Sequence, residues 1–215
     1  MSSSIVAKFS SHSFKIRYID VIVKSTCYTK PMPKYLYITG LGENLHPIRR
    51  LLLISWRLRG KRYELIEMRW NDERETYQQK QQRILSRINA EKKQPVILVG
   101  ESAGGAMALS LLVNFSHKID QVITICGYNH TASKINELHR ALHPALVHVV
   151  EFNDRHMNDI VRNSDKITNI YSLADGTIDQ KYSKVGGAKH IEITTPNHQL
   201  SIVRSILNFF KLIRS

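Results

Sequence analysis

Ser102, Asp175 and His198 are the residues of this chain whose types and order suit nucleophilic catalysis. Ser102 lies in PVILVGESAGGAMALSLL, Pro95 to Leu112. A serine becomes a nucleophile when its hydroxyl is exposed, a base can take its proton and donors face the developing oxyanion. An apolar run, then Gly100-x-Ser102-x-Gly104, then a nearly unbroken apolar segment predicts a buried strand, a sharp turn with serine at its tip, and a buried helix. Glycines two residues to either side relieve backbone crowding at such a turn, and Gly105 and Ala106 keep the first helical turn thin. The amide of Ala103, at the helix start, then points at negative charge. A merely structural glycine turn is the alternative. A phosphate-cradling loop needs Lys-Ser or Lys-Thr after the glycines, and Ala106-Met107 stand there instead.

The chain has ten histidines, so position must select the base. His198, in TTPNHQLSI, follows the last strand-like segment and opens the last helix, at the carboxyl edge of a parallel sheet. The acid belongs after the preceding strand, where NIYSLADGTIDQ offers Asp175 at the strand exit and Asp179 further on. Fixed backbone favours Asp175 as the group that orients the imidazole; Asp179 suits a helix cap. YITGLGENL supplies a glycine-rich loop after an earlier strand, with the amide of Leu41 as a second oxyanion donor.

These residues need a scaffold that brings distant loops to one edge. Strand-like runs alternate with helical patterns, which predicts an α/β fold with a mostly parallel sheet. Strands are expected within Phe14–Lys24, Lys34–Gly40, YELIEMRW, PVILVG, DQVITICG, ITNIYSLADG and AKHIEITTPN. Leu45, Ile48, Leu52 and Trp56 are spaced for the inner face of a helix over Leu45–Arg59. The polar segment after Trp70 predicts a surface helix, with an Asp72/Glu75 capping box and an inner stripe of Tyr77, Ile84, Leu85 and Ile88. Residues 128–166 carry helical pieces without a strand. In the closing helix Leu200, Val203, Leu207 and Phe210 share a face. The chain is expected to be one domain over 1–215, with a minimal cap or none and any lid within 128–166.

At 42% apolar and 23% charged residues the composition is that of a globular protein. No apolar run is long enough to span a membrane, and the N-terminus lacks a signal-type apolar core. Cys27 and Cys126 make neither a disulfide framework nor a zinc site. Cys126 fits a small core residue, and cytoplasmic localisation is expected. His139 and His143 have helical ligand spacing but no Glu between them, so no metal is predicted. Against 18 acidic residues stand 31 Lys and Arg, a formal net charge of +13. Because the basic residues are spread along the chain, a general bias toward basic residues or plain solubility is the simpler account, with weak association with anionic surfaces as the lesser one; no specific nucleic-acid partner is expected. The densest basic cluster, Ile48–Arg62, fits a core-packed helix with solvated arginines better than a membrane-surface helix.

Strand–Gly-x-Ser-x-Gly–helix, then Asp after the penultimate strand and His after the last, resembles the α/β-hydrolase family from about Lys34 onward. GESAGG is similar to the elbow of carboxylesterases and lipases, and IYSLADGTID to lipase-like members. Where many members begin the oxyanion loop with His-Gly, this chain has Thr39-Gly40. The resemblance implies a cofactor-free serine hydrolase that cleaves a small-molecule or lipid carboxylic ester, or a thioester, through an acyl-enzyme. An acyltransferase or thioesterase with the same triad, and a non-catalytic basic binding protein on this fold, are the alternatives. Substrate identity and oligomeric state are not legible.

Overall fold

A computed structural model describes residues 32–92 and 94–214. The strand expected in Phe14–Lys24, and Cys27, lie outside these residues, as does part of the expected single domain over 1–215. The described strands are β1 (Lys34–Ile38), β2 (Arg62–Ile66), β3 (Val96–Glu101), β4 (Ile119–Ile125), β5 (Ile167–Ser172) and β6 (Lys189–Ile193). They form a six-stranded sheet in the order β2-β1-β3-β4-β5-β6, every pair parallel. The helices are α1 (His46–Leu58), α2 (Tyr77–Ala90), α3 (Ala103–Phe115), α4 (Glu137–Leu142), α5 (Pro144–Arg155), α6 (Met157–Arg162), α7 (Gln180–Ser183) and α8 (His198–Leu212). No described helix is long and apolar enough to cross a membrane.

Central strands of a parallel sheet are covered on both faces, so they read as continuous apolar runs. β3 and β5 are buried along their whole length. On one face Leu36, Ile38, Leu98 and Val122 pack with α2, α3 and α5. On the other, Tyr35, Tyr37, Val99 and Ile170 pack with α1 and α8. There Trp56 stacks on Phe209, ring centroids 4.3 Å apart, and its indole N–H donates to the carbonyl of Ile206 at 2.9 Å. α3 is buried nearly all round, as its composition predicts.

The strand order fixes where the site lies. The chain passes from β1 outward to β2, then returns to the other side of β1 as β3. The loops leaving β1 and β3 therefore diverge at the carboxyl edge, where open α/β sheets leave a crevice. Gly40 and Ser102 sit on those two loops.

Three local expectations are corrected. The cap of α2 is Thr76 with Gln79, each side chain bonding the other's backbone amide, not Asp72 with Glu75. Asp72 instead caps a turn at the Arg74 amide, and Glu75 pairs with Arg83 and Lys80. On α1 the buried side is Arg49, Leu53 and Trp56, while Ile48 is exposed. On α8 it is Ile202, Ile206, Phe209 and Phe210, while Leu200 and Leu207 are exposed.

Candidate active site

Ser102 joins β3 directly to α3 and holds φ +49° and ψ −122°. A side chain at positive φ is strained, and it persists only where the surroundings impose it. Here the Ser102 amide donates to the carbonyl of Ile125 at 2.9 Å while α3 begins at the next residue. The flanking glycines are required by contact. A methyl at Gly100 would strike the carbonyl of Gly104, and one at Gly104 would strike the carbonyl of Ile38.

Gly40 brings the loop after β1 against the serine. A Cβ there would lie 2.7 Å from Ser102 Cβ and 3.5 Å from the amide nitrogen of Ala103. The amides of Leu41 and Ala103 donate to no other described residue, whereas that of Gly40 bonds to Glu101 Oε1 at 3.1 Å. Leu41, Ser102 and Ala103 line one cavity of about 130 Å³, whose walls include Tyr128, Ile135 and Ile178. Two unengaged amides beside an accessible hydroxyl make a geometry suited to an oxyanion.

Asp175 and His198 meet. His198 Nδ1 lies 2.9 Å from Asp175 Oδ1 and 2.8 Å from Oδ2. The Thr177 and Ile178 amides also donate to Asp175 Oδ1, at 3.1 and 2.8 Å. Burial pushes the Asp175 carboxyl up, but His198 and these two amides together outweigh it and hold the group below its ordinary value. Thr177 and Ile178 also line the Ser102 cavity, so one turn touches both the carboxylate and the pocket. The structure does not show a hydrogen bond between the Ser102 hydroxyl and His198 Nε2. Such bonds are often loose in unliganded sites and tighten around substrate.

Several residues outside the candidate triad support these groups. Glu101, beside the serine, is fully buried and accepts from Tyr37 Oη at 2.5 Å as well as from Gly40. It also forms an ion pair with buried Arg49, whose guanidinium donates to the carbonyls of Leu41 at 2.9 Å and Gly42 at 2.7 Å. The loop from Gly40 to Gly42 is thus fixed at three backbone groups, and the Leu41 amide is left free. Thr39, directly before Gly40, is tied to the neighbouring strand exit. Its hydroxyl accepts from the Met68 amide at 3.1 Å, and its carbonyl from the Trp70 indole at 2.8 Å. On the acid–base side, Ser172 Oγ donates to the Thr195 carbonyl at 3.1 Å, and the Thr195 hydroxyl bonds Ser201 Oγ. These contacts stitch the turn carrying Asp175 to the turn carrying His198. Asp179 caps α7 through the Lys181 amide, matching the structural role expected for it.

The Cys126 thiol completes the cluster. Its donor atom and those of Asp175 and His198 all lie within 4.8 Å of one another, the only such three-donor group among the described residues. Burial, then the nearby Asp175 charge, pushes the thiol well above its ordinary value. His139 lines the mouth of the Ser102 cavity, its ring 5.8 Å from that of His143.

The sequence matches no family profile and no curated protein. Solved structures do match. A lipase from Bacillus licheniformis, BlEst2, superposes with a TM-score of 0.65 at 16% identity, over 85% of this chain and 91% of that one. The chain has the α/β-hydrolase fold. Est1E from Butyrivibrio proteoclasticus aligns with a TM-score of 0.60 at 16% identity, covering 86% of this chain and 89% of its own. An α/β hydrolase from a lagoon-sediment metagenome, MGS-MChE2, gives 0.59 at 13%, covering 85% and 89%. Within this α/β-hydrolase fold the candidate residues lie at the carboxyl edge: Leu41 after β1, Ser102 after β3, Asp175 after β5, and His198 after β6 as the first residue of α8.

Proposed function

We propose that this chain is a serine hydrolase acting on carboxylic esters or thioesters with short acyl groups. The observation that carries the reading is Ser102 at positive φ beside the unengaged amides of Leu41 and Ala103, on a cavity also lined by Thr177 and Ile178, whose amides hold Asp175. The cavity of about 130 Å³, walled largely by apolar side chains, supports a small acyl portion.

His198 Nε2 takes the proton as Ser102 Oγ attacks the carbonyl carbon. The carbonyl π electrons move to oxygen, where the two amides stabilise the charge. Collapse expels the alcohol or thiol, which receives that proton from His198. Water then attacks the acyl-enzyme, giving its proton to His198, which returns it to Ser102 as the acid leaves. Asp175 holds Nδ1–H and stabilises the imidazolium.

A fluorophosphonate probe is expected to label Ser102, mapped by peptide mass. Esters of rising acyl length are expected to be cleaved fastest at the short end. Ser102→Ala should lose both labelling and turnover, down to the uncatalysed background. Turnover retained in that variant, or labelling elsewhere with none at Ser102, rejects the reading.

A further inference from the structure

α1 and α8 each bury one stripe and present a second apolar stripe outward. On α1, Leu51 is 69% and Leu58 83% exposed, with Ile48 and Ile54 beside them. On α8, Leu200 and Leu207 are exposed. The helices run side by side in the same direction: Ile48 and Leu52 border a groove of about 320 Å³ with Leu200 and Val203, while Arg59 donates to the Leu207 carbonyl at 3.2 Å. An amphipathic surface helix normally turns charge, not leucine, away from the core. Contiguous apolar side chains facing out mark a contact surface.

The charge on this face says what it contacts. No Asp or Glu occurs between His46 and Tyr63, or beyond Glu192. Arg57, Arg59, Lys61, Arg204, Lys211 and Arg214 have no acidic partner among the described residues, although Arg50 pairs with Glu67. Arg59, Lys61, Lys211 and Arg214 line a shallow cleft of about 600 Å³ at the far end of the helix pair, with Lys61 Nζ 5.3 Å from the Phe210 ring centre. Outward leucines bordered by uncompensated cations match an interface with apolar depth and anionic headgroups. A second copy of the same face would set cations against cations. A nucleic-acid backbone would leave Leu51 and Leu58 against phosphate.

We propose that the α1–α8 face docks on an anionic lipid surface, with Leu51, Leu58 and Leu207 entering the acyl boundary and the arginines and lysines meeting headgroups. The groove reaches Asn197 and Leu200, which flank His198, so the docked face abuts the candidate active site.

The test is co-sedimentation of the full chain with phosphatidylcholine vesicles that contain or lack phosphatidylserine, at low and high salt. Binding is expected only with phosphatidylserine and is weakened by salt. The double variants Leu51→Asp/Leu58→Asp and Lys211→Glu/Arg214→Glu should each lower partitioning about tenfold or more, with unchanged melting transitions because all four side chains project from the surface. Ser102→Ala should bind as the wild type does, so a failure of hydrolysis and a failure of docking are read separately. The proposal is overturned by any of four results: no binding to the anionic vesicles, binding untouched by both double variants, a solution dimer that Leu51→Asp dissociates, or tighter binding to duplex DNA than to vesicles.

Discussion

The residue with most leverage outside the candidate triad is Glu101. Its carboxylate holds the Gly40 amide directly and, through Arg49, the carbonyls of Leu41 and Gly42. It acts through the loop, so it is a positioning residue. Glu101→Gln keeps the size but leaves the Arg49 charge buried without its counter-charge, and that is costly. The Leu41 amide then loses its fixed aim, and kcat should fall about 10- to 100-fold, less than the loss typical of deleting an oxyanion donor. KM should change little, and the pH profile of kcat should keep its shape because the base is untouched. Equal losses from purely structural damage would instead appear as a lower active fraction on fluorophosphonate titration, with kcat per labelled site unchanged. Ser102, Asp175 and His198 stand out as candidates in the sequence because each is announced by a strand exit or a glycine turn. Glu101 is conspicuous in the sequence as the neighbour of Ser102, but its role is not: Arg49 belongs to a different element, and only the fold makes them a pair. The same holds for Ser172, Thr195 and Ser201.

At the scale of elements, the β3–α3 junction stores strain. Ser102 at φ +49° is held there by the Ile125 carbonyl on one side and the start of α3 on the other. Glycine accepts this conformation without penalty, whereas alanine retains it. Ser102→Gly should therefore raise unfolding free energy by about 1 kcal/mol after allowing for glycine's greater freedom in the unfolded chain, and Ser102→Ala should not. Urea unfolding of the two variants beside the wild type checks this; a gain in Ala equal to that in Gly would remove strain as the cause. The described strands and the long helices flanking them were legible in type, whereas the short helices after β4 and β5, and the helix faces and caps, were less so. A capping box is present in Thr76–Gln79 as plainly as in Asp72–Glu75, and only tertiary contacts of Glu75 with Arg83 and Lys80 decide between them. α1 and α8 each carry two apolar stripes, so spacing alone does not select the one that faces the core. The sheet selects it, through Trp56 and Phe209 packing beneath Tyr35 and Tyr37.

For the whole molecule, alternation of strand and helix sufficed to predict a parallel sheet, because a crossover helix leaves the next strand little other choice. Stability against pH is a property of the same whole. The Asp175 and Glu75 carboxyls are both pushed up by burial but held below their ordinary values, Asp175 by His198 and its two amides, Glu75 by Arg83 and Lys80. Below about pH 4 the unfolded chain therefore binds protons that the folded chain still refuses. Their stabilisation is complete above that range and is lost as pH falls through the folded values. Neutralising acidic groups in a chain of net charge +13 adds self-repulsion on the same side. At the alkaline end the sign reverses. Burial, then the Glu101 charge, holds Tyr37 well above the ordinary tyrosine value, and burial raises Tyr35 and Tyr77 too. Tyr128 is pushed up to about 12, by burial and then by Tyr182. Above about pH 10 the unfolded chain releases phenolic protons that the folded chain keeps, so stability declines. Urea midpoints across pH should trace a plateau from about pH 5 to 9 with a fall on each side. Asp175→Asn should make the acid limb shallower and Tyr37→Phe the alkaline limb, each leaving the other limb in place. An acid limb of unchanged slope in Asp175→Asn would mean that the His198 contact does not hold that carboxylate in solution.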